Sequence, residues 1–296
     1  MKFKTYLVVS TFILFLISNL YARETINFND NWKFYLGDPE NAQFMDYDDS
    51  GWSEISLPHD WAISQAFDHN LPANTGKLPW KGVGWYRKNF ELDPKQEGQQ
   101  IYLIFDGIMA FPKVYINGQF AGEWDYGYNS FYLNVTELIS FSSPNLIAVK
   151  ADTRNHDSRW YPGAGIYRKI QMLITDPVHV DIWGTYITTP VVNSEMAEVK
   201  ITTTVNNTRA EDERVTLVSQ IFDPEGNMIV EMQSEKTVLG NGSIDIEQVM
   251  NVNNPNFWDI NNPYLYKAKT IIKTDTLVRD VYKSTFGVRT IEFQGN

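Results

Sequence analysis

The residues best equipped for chemistry fall within one dozen positions, Asp157-Ser158-Arg159-Trp160-Tyr161-Pro162-Gly163-Ala164-Gly165-Ile166-Tyr167-Arg168. An acid, a guanidinium and two aromatics stand beside three small or ring-constrained residues. A carboxylate there can accept two hydrogen bonds from neighbouring hydroxyls. Tyr161 precedes a proline and is pushed toward an extended or turn conformation, and Gly163 and Gly165 permit backbone angles or close approaches that a side chain forbids. After Gly165 the spacing predicts a strand: Ile166, Ile170, Met172 and Ile174 line one face, alternating with Tyr167, Lys169 and Gln171. The stretch reads as a shaped loop that presents polar and aromatic groups at a sheet end. Loops so placed commonly carry function, and the ordinary alternative is a buried turn with a capping carboxylate.

Other chemistries find little support. His59, His69, His156 and His179 are scattered, so no Ser-His-Asp set is indicated. There is no Gly-rich phosphate loop and no cluster of metal ligands, so no cofactor and no metal is expected. Cysteine is absent from the 296 residues, which removes disulfides, thiol nucleophiles and zinc ribbons together. A net charge of −11 and a pI near 4.9 argue against nucleic acid, whose readers are basic.

Residues 1–22 read as a signal peptide. Lys2 and Lys4 form a positive start, Tyr6 to Ile17 is dominated by apolar residues, and Ala22 is a plausible cleavage point, although Leu20 is bulkier than the usual small residue there. The apolar run is short for a spanning helix, which needs about 20 residues. The expected protein is exported, periplasmic or secreted, with no membrane attachment once the leader is removed. The mature chain then carries 23 basic and 36 acidic residues, a charge of −13.

The elements that must position the loop are almost all β. Trp32 to Leu36 and Tyr86 to Leu92 alternate, while Ile101 to Phe105 is nearly continuously apolar, as in a strand covered on both faces. Val114-Tyr115-Ile116 and Gln119-Phe120-Ala121 flank Asn117-Gly118, the preferred pair for a type I′ hairpin turn. Asn145 to Asp152 gives a further strand before the loop. Seven of the nine tryptophans (32, 52, 61, 80, 85, 124 and 160) fall in this half, most of them expected in the core. A second unit starts near Val178, with strands at Val180–Thr188, Val199–Val205, Val215–Phe222, Met228–Met232, Ile244–Val252 and Leu265–Ile272, and a turn at Asp223–Asn227. Six or seven short strands in that length suit an immunoglobulin-like sandwich.

Six segments together carry a family resemblance. Leu57-Pro58-His59-Asp60-Trp61 resembles an LPHDW segment, Gly84-Trp85-Tyr86-Arg87-Lys88 a GxGWYRK segment, and Val114 to Gly122 a VxxNGxxxG hairpin. Arg159 to Arg168 is similar to RWYxGxGIYR. Phe257-Trp258 with Pro263-Tyr264-Leu265-Tyr266 resembles a W…PxLY strand, and Phe286-Gly287-Val288-Arg289 an FGxR junction. Each is weak alone, but their order matches. By them the chain resembles the N-terminal part of a glycoside hydrolase family 2 enzyme, of the kind of the exported bacterial β-galactosidases.

The resemblance implies an all-β fold. A jelly-roll, galactose-binding-like sandwich spans residues 23–177, and an immunoglobulin-like sandwich spans 178–286. Residues 287–296 begin the junction to a (β/α)8 catalytic barrel that has no counterpart in this sequence. Family members hydrolyse β-glycosides with retention, using two barrel glutamates about 5–5.5 Å apart. No residue here matches either glutamate, so none is catalytic and the chain alone is expected to be inactive. The implied partners are a β-linked oligosaccharide or glycoside and the enzyme's own barrel, with a homo-oligomer left open.

In the family's β-galactosidases an aspartate near this loop bonds sugar hydroxyls, sometimes beside a sodium ion. Asp157 is the nearest match, with Asp152 as the alternative. Asp157, Arg159 and Trp160 are the substrate-binding candidates. Trp80 and Trp85 could stack a sugar ring or serve the core, and Asp60 is expected to brace a buried turn. β-Glucuronidase and β-mannosidase share the accessory domains. A stand-alone carbohydrate-binding module is the reading from another class, and the FGxR junction favours the enzyme.

Overall fold

The computed structural model describes residues 23–291, so the leader and the last five junction residues lie outside the described part. Ten strands build the first sandwich: β1 (Glu24–Asn27), β2 (Trp32–Leu36), β3 (Ser53–Ile55), β4 (Val83–Phe90), β5 (Gln100–Phe105), β6 (Lys113–Ile116), β7 (Gln119–Glu123), β8 (Phe131–Asn134), β9 (Asn145–Asp152) and β10 (Ile170–Thr175). They form a six-stranded sheet, β3-β2-β4-β9-β6-β7, against a four-stranded sheet, β1-β10-β5-β8. Every pairing is antiparallel, and alternate side chains from the two sheets meet in one core that includes Trp32, Tyr86, Leu103, Phe105, Ile147 and Met172. The fold is all-β, a jelly roll followed by an immunoglobulin-like sandwich.

Local chemistry explains the register. The hairpin between β6 and β7 turns on Asn117 (φ 53°) and Gly118 (φ 83°), the left-handed pair that a type I′ turn requires. In β4, Tyr86 points inward, while Trp85 and Arg87 face a strap formed by residues 38–52. Arg87 is 2% exposed, and its guanidinium donates to Asp49 Oδ2 at 2.7 Å and to the Phe44 carbonyl at 2.9 Å, pinning that strap to the sheet. Five of the first seven tryptophans are buried, Trp80 and Trp85 among them, which assigns those two to the core.

The second sandwich has β11 (Val178–Val192), β12 (Met196–Asn207), β13 (Glu213–Phe222), β14 (Met228–Val238), β15 (Gly242–Asn253), β16 (Tyr266–Thr274) and β17 (Leu277–Phe286). Sheet β11-β12-β15 packs on sheet β14-β13-β16-β17. The turn at Asp223–Asn227 is present, closed by the Asp223 carboxylate accepting from the Asn227 amide at 2.7 Å.

One reading is corrected and one strand was missed. The strand after the loop begins at Ile170, not at Ile166. Ile166 is fully buried, but its carbonyl accepts from His59 N at 2.8 Å, so its backbone is held by the loop's floor and not by a sheet neighbour. Strand β17 was not legible, because Arg279, Asp280 and Lys283 interrupt its apolar alternation. One of those residues joins the domains. Asp280 is fully buried and takes a two-pronged bond from Arg23, with Nε to Oδ1 at 3.0 Å and Nη2 to Oδ2 at 2.9 Å. Around this pair Tyr102, Leu173 and Ile182 pack across the domain boundary. That contact is why β5 is apolar on both faces.

Candidate functional site

The loop from Thr153 to Lys169 has a deep floor and an exposed rim. At its entry Thr153, fully buried, accepts from Gly82 N at 2.9 Å and donates to the Trp80 carbonyl at 2.7 Å. At its centre Tyr161 donates to Asp60, both carboxylate oxygens lying 2.7 Å from the phenol, and Asp60 also accepts from Ala62 N at 3.0 Å. Burial and the Asp60 carboxylate push the Tyr161 phenol well above its ordinary range, so it remains a donor. Asp60 thus braces its turn as expected, and also holds the loop from 101 positions away.

Gly165 closes the floor. Its φ is 107°, and any side chain there would drive its Cβ into the Tyr86 hydroxyl. Its amide and carbonyl both bond Met109, at 2.6 and 2.9 Å. The Tyr86 hydroxyl meets His59 Nδ1 at 2.9 Å; burial raises the phenol and lowers the imidazole, so both stay neutral. The two segments Pro58–Trp61 and Ala164–Ile166 are further joined by Trp61 N donating to the Ala164 carbonyl at 3.1 Å.

The rim differs in kind. The Asp157 side chain is 96% exposed, and its contact is Lys81 Nζ at 3.0 Å, itself half exposed. Arg159 is exposed and makes no ion pair among the described residues. Trp160 is 58% exposed and held at one edge, where its Nε1 donates to the Tyr128 hydroxyl at 2.9 Å. Tyr126 stands next to Tyr128, ring centroids 5.6 Å apart, extending the aromatic surface. All three sequence candidates are therefore exposed on this loop, Asp157 beside Lys81 and Trp160 beside Tyr128.

Asp152 is placed otherwise. Burial alone would raise its carboxyl, but bonds from Arg154, including Nη2 to Oδ2 at 2.6 Å, hold it below the usual range. Its acceptor capacity is spent on Arg154, whereas that of Asp157 is open. The sequence reading did not single out Tyr126, Tyr128 or Lys81. The alternation of aromatics about Gly127 was the available signal. Among the described residues no group of three or more His, Asp or Glu converges as a metal site would require.

This arrangement can bind hydroxyls and stack a ring, but offers no general acid and base about a reacting bond. Residues 26–177 match the family described as glycosyl hydrolases family 2, sugar binding domain, and residues 178–289 match glycosyl hydrolases family 2. The chain is 38% identical over 271 residues to the β-galactosidase BoGH2A of Bacteroides ovatus, covering 90% of this chain and 32% of that protein. It is 30% identical over 298 residues to a β-glucuronidase of Formosa agariphila, covering 92% and 30%. A solved glycosyl hydrolase family 2 member from Bacteroides cellulosilyticus superposes with a TM-score of 0.85 at 32% identity, over 91% of this chain and 36% of that one. A solved family 2 β-glucuronidase also gives 0.85, at 30% identity, over 91% and 31%. The chain thus spans about a third of the length of the relatives it matches.

Proposed function

The chain belongs to glycosyl hydrolase family 2, and we propose from this that its two sandwiches shape the substrate site of an exported, retaining β-galactosidase. Bond cleavage falls to a barrel-borne pair of glutamates, one protonating the leaving oxygen and the other forming the glycosyl-enzyme. The present residues supply the surroundings. Asp157 accepts from sugar hydroxyls, Trp160 offers a ring to the sugar's C–H face, and Arg159 adds a donor fork. The observation that carries this reading is the exposed trio on a loop whose floor is fixed by Asp60, Tyr161 and Gly165. Rigid support under an open rim is what a binding loop needs.

Galactose is favoured by the 38% identity to a β-galactosidase, against 30% to a β-glucuronidase. A uronic acid is the second reading, because the unpaired Arg159 fork matches a carboxylate. Export is supported by the leader-like residues 1–22. The test is to recover the whole protein from the exported fraction and assay it on nitrophenyl β-galactoside and β-glucuronide. The expected outcome is a mature start at Arg23, turnover preferring the galactoside, and no turnover by residues 23–296 alone. A retained Met1 overturns export, a glucuronide preference overturns galactose, and hydrolysis by residues 23–296 overturns the division of labour.

A further inference from the structure

The outer faces of the second sandwich's two sheets both pair some of their charges. On β11-β12-β15, Lys200 Nζ lies 2.5 Å from Glu247 and Thr204 donates to Asp245 at 2.6 Å, so charges find partners within the face. On β14-β13-β16-β17, Arg214 Nη2 lies 2.5 Å from Glu235 and Gln220 donates to Glu231 at 2.5 Å, while the register sets Glu231, Gln220, Lys269 and Lys283 in one row across the four strands. Lys269 sits directly opposite Lys283, a like-charge pairing that costs stability in an isolated sheet. Among the described residues neither lysine makes an ion pair. The next row toward the middle of the sheet is apolar at Val218, Ile271 and Val281, with Val218 buried and Ile271 and Val281 partly exposed. Acid therefore lies at one edge and lysine at the other, with an apolar band alongside.

That layout is complementary to itself. A half-turn about an axis parallel to the strands, between β13 and β16, lays β14 of one copy over β17 of the other. Glu231 of each copy then meets Lys283 of the other, and Gln220 meets Lys269. We propose that this face pairs with the same face of a second copy, giving a two-fold dimer with two reciprocal Glu231–Lys283 contacts. Aligned sheets pack face to face about 10 Å apart. Four strands about 4.8 Å apart and five residues long give roughly 300 Å². A standard interface uses about 800 Å² per partner, so the pairing is weak and salt-sensitive.

Charge exchange tests it. Sedimentation of the full chain at rising concentration and low salt is expected to show a monomer–dimer equilibrium that fades at high salt. Lys283→Glu and Glu231→Lys should each weaken dimerisation about tenfold or more, since each turns two attractions into repulsions. The double variant restores both contacts with reversed sign, so its dimerisation should return to within about threefold of the parent. A chain monomeric at every concentration, or a double variant as weak as the singles, overturns the proposal. So does a Lys283→Glu variant that changes thermal stability but not association, which would place the face against a segment of its own chain.

Discussion

Asp60 and Asp157 are the two carboxylates of the same loop system, and they differ in almost every physical respect. Asp60 receives a phenol on both oxygens and an amide besides, whereas Asp157 is nearly all in solvent and touches one flexible lysine. The first has its acceptor sites filled by protein, so it fixes geometry. The second has them open, so it is available to something else. The same division separates Gly165 and Tyr161 at the floor from Arg159 and Trp160 at the rim. A dozen consecutive residues thus divide into support and reach, and the measurements below can blur or deepen that line.

The largest effect is expected at the floor. Gly165→Ala meets both a φ of 107° and a collision with the Tyr86 hydroxyl, which together should cost about 2–4 kcal/mol in denaturant unfolding. A loss below about 0.5 kcal/mol would show that the floor yields, and the contrast would fail. Next comes the rim. Asp157→Asn in the whole enzyme should lower kcat/KM by about 10–100-fold, because a charged hydrogen bond contributes roughly 1.5–3 kcal/mol, and should leave Tm nearly unchanged. The reverse pattern, a lower Tm with intact kinetics, would return Asp157 to the supporting half.

The smallest effect concerns acid. Burial, partly offset by the Asp60 carboxylate, holds His59 below its ordinary value of 6.5. The folded state therefore binds fewer protons than the unfolded one. Stability from this group is present above pH 6.5 and is lost as the pH falls from there through the lowered folded value. His59→Gln should flatten the slope of Tm against pH below 6.5 and leave kcat/KM at pH 7 within about twofold. An unaltered slope would remove His59 from the acid response of the floor.

Much of this was legible because it depends on local rules. Asn117-Gly118 specifies its turn whatever surrounds it, and Asn145 to Asp152 forms a strand with the expected ends. The loop announced itself by composition, and its three candidates are exposed. What stayed hidden depends on distant partners. Ile166 fits a strand pattern, yet its carbonyl bonds His59, 107 positions earlier, and the strand waits until Ile170. Lys81 beside Asp157 and Tyr128 beside Trp160 are tertiary neighbours with no sequence spacing to betray them. Strand β17 escaped because Asp280 is a charge inside a core, admissible only with Arg23 beside it.

That last pair sets an order of events. Arg23 leaves the ribosome 257 residues before Asp280 does, and at about 5–20 residues per second the guanidinium waits roughly 13–50 s for its carboxylate. Strand β1 meets β10 well before then, so the jelly roll must hold together without the clasp. The clasp closes only when β17 arrives as the outermost strand of its sheet. The first described residue and the final strand thus report on each other, and a chain stalled between β16 and Asp280 carries two sandwiches, one finished and one open-edged, with no fastening between them.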